Sequence, residues 1–444
     1  MARGEAALPP IDLTNCDQEQ IHLSSAIQPH GELFVIDPAT DRIVQCAAPA
    51  RGEVLGKALE DVFPDSARLF SRLACRLPAE GVVHLGRYGG AAGDFDVVGH
   101  KTQDALIVEL EQTTRVGPAS FDDVYPQVRE FLNRMQFADS IEDVARLAAV
   151  EVRRWTGFDR ALIYRFDDDW NGEVIAEDRN DRLPSYLGHH FPANDIPAQA
   201  RDLYRRNRMR LIADANYIPV PVVPTQNPAS GQPLDLSYSV LRSVSPVHVE
   251  YMRNMGTMAS MSISLLKGDR LWGLISCHHS TPARVPYQVR NACDFIGQVM
   301  SMQIASKEAS ALADRRHDLR AVQRRLLSGM AAADHFIDGL TENTHELLTL
   351  TGASGAAVVI EGACRLVGET PTAQDTMTIV DWLGAREKED LFVTSSLHEI
   401  MPGGDAFKDV ASGVLAIAVS QIHKSYVVWF RPEVLRTLKW AASR

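Results

Sequence analysis

The sequence predicts an α+β chain of tandem domains, each built on a small antiparallel sheet, with one long helix joining the last two. Three observations carry that expectation. At 444 residues the chain is too long for a single core, and about three domains are expected. Short apolar runs bounded by Gly, Asp and Pro recur through residues 32–111, 161–278 and 356–430. Between the last two sets, residues 289–332 contain no proline and repeat apolar side chains at spacings of three, four and seven.

Composition narrows the class. Hydrophobic residues make up 45% and charged residues 23%, the balance of a globular protein. A formal charge of −12 speaks against general nucleic-acid binding, which needs a surplus of Lys and Arg. The basic pairs Arg315-Arg316 and Arg324-Arg325 fall in the helical pattern and read as a solvated face. The six cysteines form no CxxC pair and no zinc-type spacing. With no apolar leader and no run of 18 apolar residues, the chain is expected to be cytoplasmic, without membrane association or a disulfide framework.

In order, residues 1–30 lack a period and carry Pro9-Pro10 and Gln28-Pro29-His30-Gly31, which predicts an irregular arm. Residues 31–118 hold strand runs at 33–36, 82–85, 95–98 and 106–110, with a linker from about 113 to 121. The stretch 119–308 opens with helices near 122–135 and 140–155, then strands at 161–166, 172–176, 259–266 and 271–278. Long irregular stretches, including the proline-rich 219–233, mark it as a ligand-binding domain, because such loops are uncommon unless functional. Residues 309–444 complete the long helix and add strands at 356–360, 415–419 and 426–430. His345-Glu346-Leu347 hints at a phosphoacceptor histidine, but Leu348-Thr349-Leu350 departs from that motif, so a plain helix is expected.

Two regions are more specific. One is Thr14-Asn15-Cys16-Asp17, followed by Ile21-His22 and Ile27-Gln28-Pro29-His30-Gly31. The other is Phe191-Pro192-Ala193-Asn194-Asp195-Ile196-Pro197, whose two prolines fix φ and remove backbone donors, holding a carboxylate on a stiff, non-helical loop. Ser245-Pro246-Val247-His248-Val249-Glu250-Tyr251-Met252-Arg253-Asn254-Met255-Gly256 follows it. Together they resemble the chromophore-binding region of phytochromes, and the likeness covers nearly the whole chain. It implies a PAS-like domain at 31–118, a GAF domain at 119–308, and a helical spine with a partial, GAF-related PHY domain at 309–444. It also implies an arm knotted through a GAF loop near Ile27, an exception to un-knotted topology. By the same resemblance, the tongue and closing helix that follow in the family are expected to lie beyond what this sequence holds.

A linear tetrapyrrole has an apolar conjugated body, four ring nitrogens and two propionates. Its site needs apolar walls, cations or hydroxyls for the carboxylates, and a polar group for the nitrogens. The resemblance implies Asp195, with Ile196 and Pro197, beside the nitrogens, and His248 near them. It puts Arg210 and Arg242 on the propionates, where a planar guanidinium fork suits a carboxylate, and Tyr204, Ser245, Ser260 and Ser262 beside them as hydroxyl donors. His278 would meet the carbonyl of the isomerising ring, walled by Tyr164, Tyr186, Phe191, Tyr251 and Met255. Taken singly, each has a plain alternative: Asp195 as a proline-turn or helix-cap residue, surface arginines, outward serines, core aromatics. Cys277-His278-His279 suggests a metal site, but adjacent strand residues face opposite sides, so no metal is expected.

The thiol selects the branch. Plant and cyanobacterial phytochromes attach their bilin through a GAF cysteine directly before the histidine; here that position is Val247, which cannot form a thioether. Bacteriophytochromes use an arm cysteine, and Cys16 matches it. The implied cofactor is therefore biliverdin IXα, linked to Cys16. The implied function is red/far-red light reception, signalled along the helix to an output module absent from this chain, whose identity stays open. No ATP-lid glycines or GGDEF-like run occurs, so no enzymatic activity is expected. A homodimer through the GAF domain and the stripe Phe295, Val299 and Met302 is expected. Two rival uses stand beside this one: a GAF sensor of a small regulator such as a cyclic nucleotide, and a truncated near-infrared fluorescent scaffold. The first leaves Cys16 without a role, and the retained Asp195 weakens the second.

Overall fold

A computed structural model describes residues 18–48, 52–90, 93–113, 121–386, 390–420, 424–434 and 439–440, so Cys16 and most of the expected 113–121 linker lie outside the described residues. The chain falls into two units, residues 1–307 with 438–444, and residues 308–437.

The first unit opens with β1 (Ala26–Ile27), β2 (Gly31–Asp37) and β3 (Arg42–Ala47). Three one-turn helices follow, α1 (Leu59–Val62), α2 (Ala67–Phe70) and α3 (Leu73–Arg76), then β4 (Val83–Gly90), β5 (Gly93–Lys101) and β6 (Leu106–Gln112). Strands β2 to β6 form an antiparallel sheet in the order β3-β2-β6-β5-β4. Strand alternation divides its residues. Phe34 and Ile36 pack under the short helices with Phe63 and Phe70, while Leu33 and Val35 face Ile27, Val222 and Leu241.

The second domain comprises α4 (Phe121–Met135), α5 (Ile141–Thr156), β7 (Arg160–Phe166), β8 (Gly172–Arg179), β9 (His189–Phe191), α6 (Ala198–Arg206) and β10 (Met209–Ile212). It continues with β11 (Val220–Pro221), α7 (Pro246–Asn254), β12 (Ala259–Lys267), β13 (Arg270–His279) and α8 (Tyr287–Ala332). Helix α5 begins at a Ser140/Asp143 capping box and ends at Gly157, whose φ of 69° is a left-handed cap. The sheet order is β10-β12-β13-β7-β8-β9. One face, with Ile163, Met261, Ile263, Ile275 and Cys277, packs on Ala145 and Ala148 of α5 and on Cys293, Ile296 and Met300 of α8. Gly297 lets α8 approach closely, since a Cβ there would lie 2.7 Å from Ile263.

The arm is more ordered than its sequence suggests. Its strand β1 pairs with β11, Ile27 opposite Val220. On the other edge Gln28 N–H donates to the Leu241 carbonyl at 2.8 Å, and Ser243 N–H donates to the Ala26 carbonyl at 2.9 Å. Two stretches of the excursion between β10 and α7 therefore grip the arm from both sides, and Ile27 is fully buried between them. From β6 the Glu109 carboxylate accepts from Ser239 Oγ (2.6 Å), Val240 N–H (3.1 Å) and Leu241 N–H (2.8 Å). Burial pushes Glu109 up to about 7 against these bonds. At Glu111 burial also pushes upward, but the Arg290 guanidinium and His30 outweigh it and hold the carboxyl at about 2.

In the second unit, α9 (Phe336–Glu342) and α10 (Thr344–Thr351) precede β14 (Gly355–Ile360), β15 (Ala363–Gly368), α11 (Ala373–Gly384) and β16 (Leu391–Thr394). Short helices α12 (Leu397–Ile400) and α13 (Lys408–Ala411) lead to β17 (Gly413–Ser420) and β18 (Ser425–Arg431). The sheet order is β15-β14-β18-β17-β16, with Val322 and Leu326 of α8 packed on Val358 and Trp429. His345 lies in α10, the plain helix expected of it. Strand β19 (Lys439–Trp440) belongs to the first unit and runs parallel to β9, Trp440 opposite His190. The 309–444 domain read from the sequence includes these residues and does not anticipate this pairing.

One expectation is corrected. Phe295, Val299 and Met302 do not form a single exposed stripe. Val299 is 9% exposed and belongs to the core beneath the sheet, whereas Phe295 (38%) and Met302 (65%) face outward.

Candidate functional site

The sheet face opposite α5 and α8 is lined by alternate residues of four strands. Register sets them in rows: Ile212, Ser260, His278 and Arg160 lie side by side, as do Arg210, Ser262, Ser276 and Leu162. Above these rows is a cavity of about 280 Å³, near the lower end of small-ligand sites, closed by the 191–197 loop, α6 and α7. Alternation thus sends Cys277 into the apolar core and His278 to the cavity, while His279 pairs with Asp159 at 3.2 Å. The three neighbours do not converge.

The proline loop departs in part from the non-helical expectation. Residues Ala193–Asp195 form a 3-10 turn after Pro192, and Arg201 of α6 donates to the Ala193 carbonyl (3.1 Å) and the Ile196 carbonyl (2.5 Å). Asp195 is not the helix cap; Pro197 is. Tyr251 donates to Asp195 Oδ2 at 3.4 Å. Burial, then the Asp195 carboxylate, pushes Tyr164 and Tyr251 well above the usual phenol range, so both stay neutral donors. The Tyr164 ring lies against Gly172, where a Cβ would stand 1.6 Å from Cζ, so only glycine allows that wall.

Two guanidiniums also face the cavity. Arg210 donates to the Ser239 carbonyl at 3.2 Å and to the Arg242 carbonyl. Arg242 donates to the Ile21 carbonyl at 2.9 Å. Both Nε atoms are buried without a hydrogen-bond partner among the described residues, as are Ser245 Oγ and Thr257 Oγ1 nearby. Burial, then the Arg210 charge, depresses Arg242 to about 9; burial likewise lowers Arg210. Two buried cations that repel each other and hold open donors fit an anionic ligand. His248 is kept neutral, burial and then Arg210 lowering it to about 4. Burial, then Arg160 and His248, hold His278 well below the usual imidazole range.

Apart from Cys16, every site residue named from the sequence lines this cavity: Asp195, Ile196, Pro197, Arg210, Arg242, His248 and His278, with Tyr164, Tyr186, Phe191, Tyr204, Ser245, Tyr251, Met255, Ser260 and Ser262. The sequence reading missed Glu19 and Ile21 of the arm, Thr257, and Ser276. Ser276 was available from period two on β13, since it precedes His278 by two. Arg160, which bonds His278, had no such signal.

Comparison with known proteins gives the class first. A PAS fold matches residues 16–113, a GAF domain residues 140–307, and a phytochrome region residues 319–444, the domain series of a photosensory core. The chain is 41% identical to cyanobacterial phytochrome B of Nostoc sp., over 98% of its own length and 59% of that relative's. It is 33% identical to a bacteriophytochrome of Xanthomonas campestris, over 98% of its length and 71% of the other's. A bacteriophytochrome structure from R. palustris aligns with a TM-score of 0.84 and 40% identity, covering 96% of this chain and 88% of that one. The Stigmatella aurantiaca phytochrome photosensory core module aligns at 0.80 and 40%, covering 98% and 88%. The chain belongs to the phytochrome family. It spans about three fifths of the length of the cyanobacterial relatives it matches.

His248 makes the site's stability depend on pH. Its folded pKa of about 4 lies below the ordinary 6.5, so the unfolded chain takes the proton first. Stability should fall as pH drops from about 6.5 towards 4, with no contribution to the slope above that window. In urea titrations His248→Gln should flatten this slope; an unaltered slope would assign it to other groups.

Proposed function

We propose that this chain is the photosensory core of a red/far-red photoreceptor that holds biliverdin IXα in the GAF cavity through a thioether to Cys16. The observation that carries this reading is the set of polar groups the cavity brings together: two buried guanidiniums with open donors, the Asp195 carboxylate and two neutral histidines. Arg210 and Arg242 would hold the propionates, with Ser245, Ser260, Ser262 and Tyr204 beside them. Asp195 would accept from the ring nitrogens, and Tyr164, Tyr186, Phe191, Tyr251 and Met255 would confine the terminal ring. When bound, the bilin supplies light absorption and the isomerising double bond.

The choice of bilin follows from the thiol rather than from average identity. Val247 lines the cavity and offers no sulfur. Cys16 lies three residues before Glu19, a cavity-lining residue, and three residues reach at most about 11 Å. A cyclic nucleotide would bring one phosphate to two buried guanidiniums and leave the arm cysteine idle. No helix among the described residues is long and apolar enough to cross a membrane, and our reading is a cytoplasmic sensor that signals through α8 to a separate output module. We read the arm gripped by 220–243 as threaded through that excursion.

Three outcomes test the reading. Cys16→Ser should bind biliverdin reversibly and give no zinc-fluorescent band on a denaturing gel; a persisting band would mean that another thiol attaches it. Asp195→His should keep the bilin attached while suppressing photoconversion and raising emission, because the carboxylate acceptor is gone. Wild-type photoconversion in that variant would remove Asp195 from the assigned role. For the homodimer, Phe295 and Met302 are the exposed large apolar residues of α8 in the second domain. Replacing both with Glu should yield monomers by sedimentation with the bilin spectrum intact, and an unweakened dimer would place the interface elsewhere.

A further inference from the structure

Arg160 is fully buried at the start of β7, directly across from His278 of β13. Its guanidinium donates to His278 Nδ1 from Nη2 at 2.8 Å and from Nε at 3.3 Å. Nη1 donates to the Pro184 carbonyl at 2.5 Å, and the cation lies 4.2 Å from the Tyr186 ring centroid. Guanidinium has only donors and does not lose its proton in proteins. Nδ1 must therefore present its lone pair, and a neutral ring carries its proton on Nε2. That nitrogen lies 3.1 Å from Ser276 Oγ, on a cavity-lining residue.

We infer that Arg160 is a positioning residue that locks His278 as the neutral Nε2–H tautomer, so that this end of the cavity selects a ligand with a hydrogen-bond acceptor such as a carbonyl. The lock stands on protein geometry alone; only the naming of that acceptor as the bilin's terminal carbonyl rests on the proposed function. Protonating Nδ1 would point an N–H at a fixed cation. The charged and titratable groups around the pair agree with this. His248 would add a second positive charge to His278, while Glu177, Arg179 and Tyr186 act on Arg160. A ligand group that can only donate gains nothing from this ring, whose N–H then keeps Ser276 Oγ as its sole acceptor, whereas a carbonyl can share the proton.

Ring-15N-labelled histidine in the bilin-free protein reports the tautomer directly, with His278→Gln assigning the signals. Wild type should show the proton on Nε2 and no titration of this ring between about pH 8 and 5, the range where an ordinary histidine changes charge. Arg160→Met should mix the tautomers while burial still keeps the ring neutral over this range, and Arg160→Lys should restore part of the lock. An Nδ1–H ring in wild type, or an Arg160→Met ring indistinguishable from wild type, overturns the inference. If the Met variant does not fold, the wild-type tautomer and the Lys variant decide. With biliverdin added, the red band of Arg160→Met should broaden and shift, because the two tautomers present different atoms to the bilin. Mixed tautomers with an unchanged band would keep the lock and overturn the bilin contact at His278.

Discussion

The Glu109 carboxylate, buried on the last strand of the PAS domain, fixes the segment from which Arg242 enters the GAF cavity. Its three acceptor contacts to residues 239–241 orient the backbone immediately before that arginine. The same segment bonds the arm through Leu241 and Ser243, and Arg242 itself closes on the Ile21 carbonyl. Burying a carboxylate so deeply is costly unless donors surround it, and here backbone and hydroxyl groups supply them. The cation site of the cavity is therefore assembled from three chain regions, and none of them forms it alone.

The rest of the site follows from strand alternation. Each strand of the GAF sheet sends one set of residues to α5 and α8 and the other to the cavity, so Ile263 and Ser262, or Cys277 and His278, are neighbours with opposite duties. This explains why strands, cavity face and proline loop were legible in the sequence. They depend on period two and on fixed proline φ, both local. The arm was not legible, because its order comes from hydrogen bonds to residues about two hundred positions away. Arg160 was hidden for the same reason, its partner being set by β7–β13 register. The α8 stripe misled because a helix covering a sheet and facing solvent carries apolar residues on both sides, and spacing alone does not say which side Val299 takes.

Charge in the cavity is arranged around what the protein cannot satisfy by itself. Arg210 and Arg242 repel each other and retain buried Nε donors, whereas His248 and His278 are kept neutral beside them. A ligand carrying both carboxylates and a neutral acceptor relieves both conditions. A fully anionic ligand would relieve only the first, and an apolar one neither. Such a ligand binds the folded state alone and so adds to its stability by mass action. That gain falls on the arm, the 239–243 segment and the GAF sheet together.

The same sheet also determines what the spine can feel. Helix α8 packs under β12 through Gly297 against Ile263, on the reverse side of the strand that presents Ser262 and Ser260 to the cavity. Only one strand's thickness separates the cavity from the helix, and the contact has no spare space, since even a Cβ at position 297 would clash. Close-packed interiors pass displacement on rather than absorbing it. A shift in the pleat of β12 must then be met by the part of α8 that packs on the GAF core. The cavity and α8 thus lie on the two faces of one strand set, so residues that line the cavity and residues that hold the helix alternate along β12.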